Sequence, residues 1–517
     1  MTNQKGDQGV KLVRGLSLLD ATMIVIGSMI GSGIFLTSAE SAKTIGSPGW
    51  LLAAWALAGL LTITGALCCA ELAAMMPRAG GQYVFLREAY GSATGFLFGW
   101  SLLFVIQTGT IAAVAVAFAR FLGVLAPETI SESIYIIAPT HLFGSYAISL
   151  STAQLVAIIL ILLLTFTNTR GLKTGKLIQN TFTFTKTAAL VGLILVGLLL
   201  GWNSGSAAHT ASWWNPSANG WNPQTVANDF GPTGTTALVM LLGLAMVGPL
   251  FAQSAWNNVT FTGSEVREPG RNLPRALLIG CLAVVGLYLL ANLAYVGTLP
   301  LGIIQKPQTS VATATMQAVM GRPGTILMAV AIMVSTFGCN NGLILAGARV
   351  YYAMARDRLF FSKLGTLNRK HVPAIALITQ GIWASFLTLP RTETIDAATG
   401  QTVYGNVYTQ LLEYIVSADL VFYALMVGAV IVMRRKAPKI DRPYRTFGYP
   451  FVPLLYILIA ALLVLDLALL KRQTSGIGYL LVLTGLPIYL IWRRSAAPRS
   501  AFATETADVN EGMRAEG

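Results

Sequence analysis

Long apolar stretches separated by short polar turns recur along the whole 517-residue chain. A helix needs about 20 apolar residues to cross a bilayer. Stretches near 16–45, 48–76, 92–126, 151–168, 179–201, 236–264, 274–297, 323–355, 373–390, 408–433, 449–471 and 476–493 are close to that length or beyond it. The pattern predicts an all-α polytopic membrane protein with twelve transmembrane helices. Residues 1–15 and 494–517 are polar and carry too few apolar side chains to pack a core, so both read as disordered tails.

Two of the stretches are the wrong material for a plain lipid-spanning helix. Gly27 to Gly33 reads G-S-M-I-G-S-G, with three glycines and two serines in seven residues. Each Gly costs about 0.5–1 kcal/mol of helix relative to Ala. A broken helix leaves N–H and C=O groups that lipid cannot satisfy, so a break is tolerated only inside protein or around a polar site. The other irregular stretch, 243–263, holds Gly248 and Pro249 and puts Gln253, Ser254, Asn257 and Asn258 at membrane depth. These are the first and sixth spans, the spacing expected of inverted-topology repeats over spans 1–5 and 6–10, whose broken helices meet at the midplane. Half-helix N-termini there offer N–H groups to an anion and free carbonyls take a cation, an arrangement suited to a zwitterion. The alternative for the first heptad is close helix packing, since Gly27 and Gly31 also match the small-residue pattern of helix pairs.

Charge adds orientation. The chain is 54% hydrophobic, 11% charged and carries a net charge of +14. If each Lys and Arg is assigned to its nearest membrane side, only Lys43, Arg120, Lys306, Arg322, Arg391, Lys471 and Arg472 of the 35 lie opposite the N-terminus. Cytoplasmic loops carry such an excess, so both termini are expected in the cytoplasm and the basicity reads as topology, not nucleic-acid binding. The N-terminal apolar run lacks a small-residue cleavage site, so no signal peptide is expected. Cys68, Cys69, Cys281 and Cys339 fall inside spans and read as small buried hydrophobes. The outward loop near 202–235, with Trp202, Trp213, Trp214 and Trp221, reads as an interfacial anchor. His141, His209 and His371 are too scattered for metal or nucleophile–base chemistry. No enzyme, cofactor or metal is indicated.

Two ionisable residues stand inside spans, where by default they mark function. Lys186, in F-T-F-T-K-T-A-A-L, lies roughly 10 Å into the fifth span. It either serves the site or snorkels its stem to the boundary. Asp419, in I-V-S-A-D-L-V-F-Y of the tenth span, is a pocket-lining acid, a hydrogen-bonded structural acid, or a vestibule residue. Glu71 and Glu88 flank the Arg78–Arg87 loop, and Glu265 and Glu268 sit among Arg267, Arg271 and Arg275, either as gate ion pairs or as solvated charges. Asp466 faces an unassigned neighbour in the eleventh span.

Ordered motifs run along about residues 12–455. They are G-S-M-I-G-S-G-I-F (27–35), A-E-L-A-A-M-M-P-R-A-G-G-Q-Y-V-F-L-R-E-A-Y-G (70–91), F-A-Q-S-A-W-N-N-V-T-F (251–261) and E-V-R-E-P-G-R-N-L-P-R-A (265–276). C-N-N-G-L-I-L-A-G-A-R (339–349), A-R-D (355–357) and R-P-Y-R-T-F-G-Y-P-F-V-P (442–453) follow. This set resembles the amino acid–polyamine–organocation transporters and, more narrowly, their L-type amino acid transporter branch. The resemblance implies a LeuT-like 5+5 inverted repeat with broken helices 1 and 6, a ten-helix core over 16–433 and two additional helices over 434–493. It implies that N–H groups around Ser32 and Gly33 bind a substrate carboxylate, and that carbonyls of Met29, Phe251 and Ser254 receive the ammonium. Phe251 would gate the pocket, with Trp256 and Asn257 supporting the sixth helix. Many relatives have a Gly pair where this chain has Ser254-Ala255. Lys186 would act as a tethered cation against carbonyls near Gly27, in place of sodium, or would carry a proton.

The resemblance further implies a sodium-independent exchanger of amino acids in the plasma membrane, working by alternating access. The alternatives are a proton-coupled or cationic amino acid or polyamine transporter, with Asp419 lining the pocket, and an amino acid sensor that does not transport. Some animal relatives join a glycoprotein through a cysteine after the third span. Residues 127–150 contain none, so no disulfide-linked heavy chain is expected.

Overall fold

The computed structural model describes residues 14–210, 212–221, 234–306, 310–395, 402–405 and 407–493. The expected tails lie outside these residues except for Arg14 and Gly15.

Short polar residues and prolines set the helix joints. A capping box between Ser17 and Asp20 starts α1 (Leu18–Met29), satisfying N–H groups that have no intrahelical partner. α2 (Gly33–Ile45) resumes after a bend of 40°. α3 (Pro48–Met75) opens on the Ser47 cap with proline at its first position. α4 (Gln82–Tyr90) is short, and α5 (Ser92–Ser101) and α6 (Gln107–Leu125) join through a π-helical turn at Leu102–Ile106. α7 (Thr152–Asn168) and α8 (Leu172–Leu199) follow. The sixth stretch divides into α9 (Gly234–Ala245), α10 (Val247–Ala252) and α11 (Asn258–Phe261). α12 (Pro269–Thr298) and α13 (Leu301–Gln305) precede α14 (Val311–Arg356), which is interrupted at Gly321. α15 (Ala374–Phe386), α16 (Val407–Lys436), α17 (Phe451–Leu470) and α18 (Arg472–Arg493) complete the bundle.

Among the described residues, eight helices are long and apolar enough to cross a membrane, or nine with the bent α1–α2 pair taken as one. Shorter apolar helices, Thr152–Asn168, Ala237–Ala252 and Ala374–Phe386, stand at the fourth, sixth and ninth stretches of the sequence. α12 packs on α3, α1 and α8, while α14 packs on α6 and α8. The interior is rich in aromatics, with Phe35, Trp55, Trp256, Tyr288, Tyr295 and Tyr351 buried. Large apolar side chains on the outside, such as Leu199, Phe451 and Ile491, are 70–80% exposed, as a lipid-facing surface requires.

The expectation of a wholly α-helical chain is corrected by a four-stranded antiparallel sheet. β1 (Tyr135–Phe143) and β2 (Tyr146–Ser151) form a hairpin with a two-residue turn at Gly144-Ser145. β2 pairs with β3 (Pro390–Ile395), and β3 with β4 (Thr402–Tyr404). Both loops are too short and polar to span, yet rich in Ile, Tyr and Thr, which favour strands. The two loops lie far apart in sequence, and the ladder between them satisfies their backbone groups.

The four cysteines are buried and free. The tryptophans of the loop near 202–221 pack on the helix ends. Trp50 meets Trp214 edge-on at 5.4 Å, the Trp221 ring lies over Gly46 at the end of α2, and the Trp202 ring covers Gly297 near the end of α12.

Candidate functional site

The break between α1 and α2 frees carbonyls at one end and N–H groups at the other. As the first residues of α2, Gly33 and Ile34 have N–H groups without intrahelical acceptors. The freed carbonyls meet donors from three other helices. Lys186 of α8, fully buried, donates to Gly27 O at 2.5 Å and to Ile30 O at 2.7 Å. Its ammonium therefore does not snorkel to the boundary. Ser335 of α14 donates to Ile30 O at 3.3 Å and Gly31 O at 3.2 Å, and the Cys339 thiol reaches Ser28 O at 3.3 Å. Tyr288 of α12 donates to Met29 O at 2.9 Å. Met29 O thus already has one donor before any ligand arrives.

The sixth stretch breaks twice. Pro249 has no N–H for Ala245 O, and Ser41 Oγ donates to that carbonyl at 2.7 Å instead. After Ala252 the chain unwinds through Gln253–Asn257, with Ala255 in the left-handed region at φ +64°. That conformation costs a non-glycine residue about 1–2 kcal/mol. Phe251 O takes Ser254 Oγ at 2.8 Å and Ser254 N–H at 3.1 Å, which holds the first turn of the break. Asn257 donates to Gln82 Oε1 of α4 at 2.5 Å and accepts from Tyr423 of α16 at 3.2 Å. Trp256 stacks on the Tyr423 ring with centroids 5.1 Å apart.

The two breaks touch. A Cβ added at Gly33 would lie 2.6 Å from Ala252 Cα, so only glycine permits this approach. Above the contact, the Ser32 hydroxyl meets the Tyr408 hydroxyl at 3.0 Å, and Phe251 stands edge-on to the Tyr408 ring at 6.2 Å. A cavity of about 690 Å³ begins at Tyr408, Thr37, Val247 and Gly248 and leads out past Lys43, Arg120, Lys306 and Lys471 on the side of the sheet. A smaller cavity of about 20 Å³ lies beside the second break, lined by Thr62, Gln253, Ser254, Trp256, Asp419, Tyr423 and Tyr456.

At the opposite ends of the helices the structure is shut. Gly15 and Leu16 donate N–H groups to Glu265 O at 2.9 Å, and Arg267 N–H donates to Leu16 O at 2.9 Å, tying the start of α1 to the end of the sixth stretch. Glu265 pairs with Arg349 of α14 at 3.1 Å, and both side chains are 1% exposed. Arg87 bridges Glu88 and Asp357, and Tyr83 donates to Asp357 at 2.9 Å. Burial holds the Asp357 carboxyl above the usual carboxylate value, although Arg87 pulls it the other way. Glu71 accepts from Arg434 at 2.7 and 2.8 Å and from Thr446 N–H at 2.7 Å.

The structure therefore brings together Gly27, Met29, Ser32, Gly33, Phe251, Ser254, Trp256, Asn257 and Lys186 around the two breaks, with Asp419 in the smaller cavity beside them. Glu88 pairs with Arg87 of the loop it flanks, at 2.8 Å, but two other acids find partners away from their loops. Glu265 finds Arg349 rather than Arg267, Arg271 or Arg275, and Glu71 finds Arg434 rather than the Arg78–Arg87 loop, because the helix ends bring distant residues closer than chain neighbours. Asp466, left without an assigned neighbour, packs against Gly243 of α9. Sequence reasoning missed Tyr408, Tyr423, Tyr288 and Ser335. Their one signal is a hydroxyl inside an apolar span. Among the described residues no group of three or more His, Cys, Asp or Glu could hold a metal ion.

Comparison with known proteins places these residues in context. Residues 16–487 match the family model described as amino acid permease. The mouse (Mus musculus) large neutral amino acids transporter small subunit 2 is 29% identical over 490 residues, covering 94% of this chain and 82% of that protein. The human (Homo sapiens) b(0,+)-type amino acid transporter 1 is 28% identical over 489 residues, covering 93% of this chain and 88% of that protein. The serine/threonine exchanger SteT of Bacillus subtilis is 29% identical over 486 residues, covering 93% of this chain and 97% of that protein.

Proposed function

The chain belongs to the amino acid permease family, and on that premise we propose that it is a sodium-independent exchanger that moves amino acids across the plasma membrane by alternating access. The observation that carries this reading is the close approach of the two breaks, with Gly33 at the start of α2 against Ala252 at the end of α10. The substrate carboxylate lies at the N–H groups of Ser32 and Gly33, and the ammonium at the carbonyls of Met29, Phe251 and Ser254. Phe251 closes over the pocket, while Trp256 and Asn257 hold the break. Lys186 occupies the place of a coupling cation against Gly27. Its two short bonds to α1 carbonyls support that role.

The twelve-span, LeuT-like 5+5 inverted repeat is part of the same proposal, with the core over 16–433 and two further helices over 434–493. The five-span separation of the breaks supports it. Both termini are cytoplasmic in this reading, so the cavity opens outward and the Glu265–Arg349 and Arg87–Asp357 pairs seal the inner side. The loop 127–150 offers no cysteine for a disulfide-linked heavy chain.

The decisive experiment is counterflow in proteoliposomes against a panel of amino acids, with and without sodium and a pH gradient. Exchange of neutral amino acids without sodium is the expected result. Saturable binding with no exchange sinks the transport reading and leaves a sensor. Strong preference for lysine or arginine favours the second reading, a cationic amino acid transporter, for which Asp419 beside the break is the supporting observation.

A further inference from the structure

Resting on the transporter reading, we propose that Asp419 is a proton-binding site, and that its proton decides which acceptor receives the single hydroxyl proton of Tyr423.

The small cavity of about 20 Å³ has room for about one water molecule and none for an amino acid side chain. Asp419 lines it, 6% exposed, on α16. Among the described residues, the elements packed around it present no Lys, Arg, Asp or Glu to this cavity. α3 contributes Leu61 and Thr62, and the α10 break contributes Leu250, Gln253, Ser254 and Trp256. Tyr456 of α17 and Tyr423 of α16 itself are the titratable groups that face it. A carboxylate in such a place needs a cation or a proton, because burying an unpaired charge is costly. No Lys or Arg among the described lining residues supplies the cation, and a substrate's cationic side chain does not fit, whereas a proton needs no space beyond that of a water. Gln253, fully buried, also lines the cavity, and its Oε1 atom has no hydrogen-bond partner among the described residues.

The consequence follows from counting donors. The Tyr423 oxygen accepts from Ala255 N–H at 3.4 Å, at the left-handed residue of the break. Its one O–H has two acceptors in reach, Asn257 Oδ1 at 3.2 Å and the Asp419 carboxylate one helical turn away. Asn257 spends its amide N–H on Gln82, so Tyr423 is the donor left for its oxygen. An ionised Asp419 is the stronger acceptor and takes the Tyr423 proton, leaving Asn257 Oδ1 bare. When a hydronium ion in the cavity passes its proton to a carboxylate oxygen, a new O–H bond forms and a water molecule is left. Neutral Asp419 no longer competes, and Tyr423 donates to Asn257. Proton occupancy is thereby coupled to the backbone break at Ala255–Asn257.

The test uses the full chain in proteoliposomes, with radiolabelled L-serine and L-leucine as probes and equal pH on both sides. Wild-type counterflow should change by about tenfold between about pH 5.5 and about pH 8, while Asp419→Asn and Tyr423→Phe should each stay flat within about twofold. Infrared difference spectra of the same preparations provide a readout independent of transport. A protonated-carboxyl band that titrates should appear in wild type and Tyr423→Phe, shift in Asp419→Glu, and be absent from Asp419→Asn. A wild-type pH profile retained by Asp419→Asn or by Tyr423→Phe overturns the proposal, as does a band that persists in Asp419→Asn. If wild type exchanges neither probe, the transport reading fails for them, and the band alone decides the proton site.

Discussion

Replacing Lys186 by methionine removes the ammonium while keeping most of the side-chain length. Wild-type Lys186 makes two charge-assisted hydrogen bonds, at 2.5 and 2.7 Å, and is fully buried. Hydrogen bonds to charged groups contribute about 1.5–3 kcal/mol each. After substitution Ile30 O keeps Ser335, whereas Gly27 O loses the one side-chain donor it has among the described residues. The loss at the break is therefore on the order of 3 kcal/mol, the upper cost of one stranded carbonyl. Global stability need not fall by that amount, because removing a buried charge also removes its desolvation cost. If the clamp holds α1 in its transport-competent position, about 3 kcal/mol lowers that population roughly a hundredfold. Counterflow rates per molecule of correctly inserted protein measure this, alongside melting temperature in detergent. The expected result is a rate down by about two orders of magnitude with a melting temperature near wild type. Lys186→Arg should also fail, since a guanidinium is too large for a fully enclosed slot. A Lys186→Met rate within about threefold of wild type would refute the clamp and reduce Lys186 to a packing residue.

Three other perturbations probe neighbouring parts of the site. Gly33→Ala would bring a Cβ to 2.6 Å from Ala252 Cα, a backbone atom that no rotamer change can move, so counterflow should fall by at least about tenfold in folded protein. Tyr408→Phe removes the hydroxyl that meets Ser32, so a rise in KM of about three- to tenfold with little change in maximal rate is expected from substrate-concentration series. Glu265→Gln strands the Arg349 charge in a site 1% exposed and should cost about 3–5 kcal/mol, read as a lower melting temperature. Combining it with Arg349→Met should recover part of that loss, because no buried charge then lacks a partner.

How much of this was legible in the sequence depended on whether the signal was local. Gly27 to Gly33 advertise a break by composition alone, and Lys186 stands out as a charge in an apolar run. What those residues touch is another matter. Tyr408 lies 376 residues from Ser32, and Lys186 lies 156 from Ile30, separations across which periodicity carries no pairing information. The sheet was hidden for the same reason, since β2 finds β3 more than 200 residues away. Charged loops misled in the opposite direction. Glu265 has three arginines nearby in sequence, yet the buried partner is Arg349, because folding desolvates that pair and leaves the neighbours to water.

The sixth-stretch break shows why such distant partners matter for mechanism. A Gly pair would unwind this segment at little backbone cost, and the break would persist whatever surrounded it. Here Ala255 adopts φ +64° at a cost of about 1–2 kcal/mol, which must be offset from outside the segment. The offsets on hand are the Tyr423 oxygen for Ala255 N–H, the Trp256–Tyr423 stack, and the Asn257 bonds to Gln82 and Tyr423. Every one of these except the Gln82 bond runs through a single side chain of α16. The open backbone of this break is therefore conditional on where α16 stands. A displacement of α16 that withdraws Tyr423 would remove the support for the left-handed turn and favour rewinding of Gln253–Asn257. Rocking of one helix bundle against another, the motion of alternating access, then changes the shape of the substrate site itself and not only which side it faces.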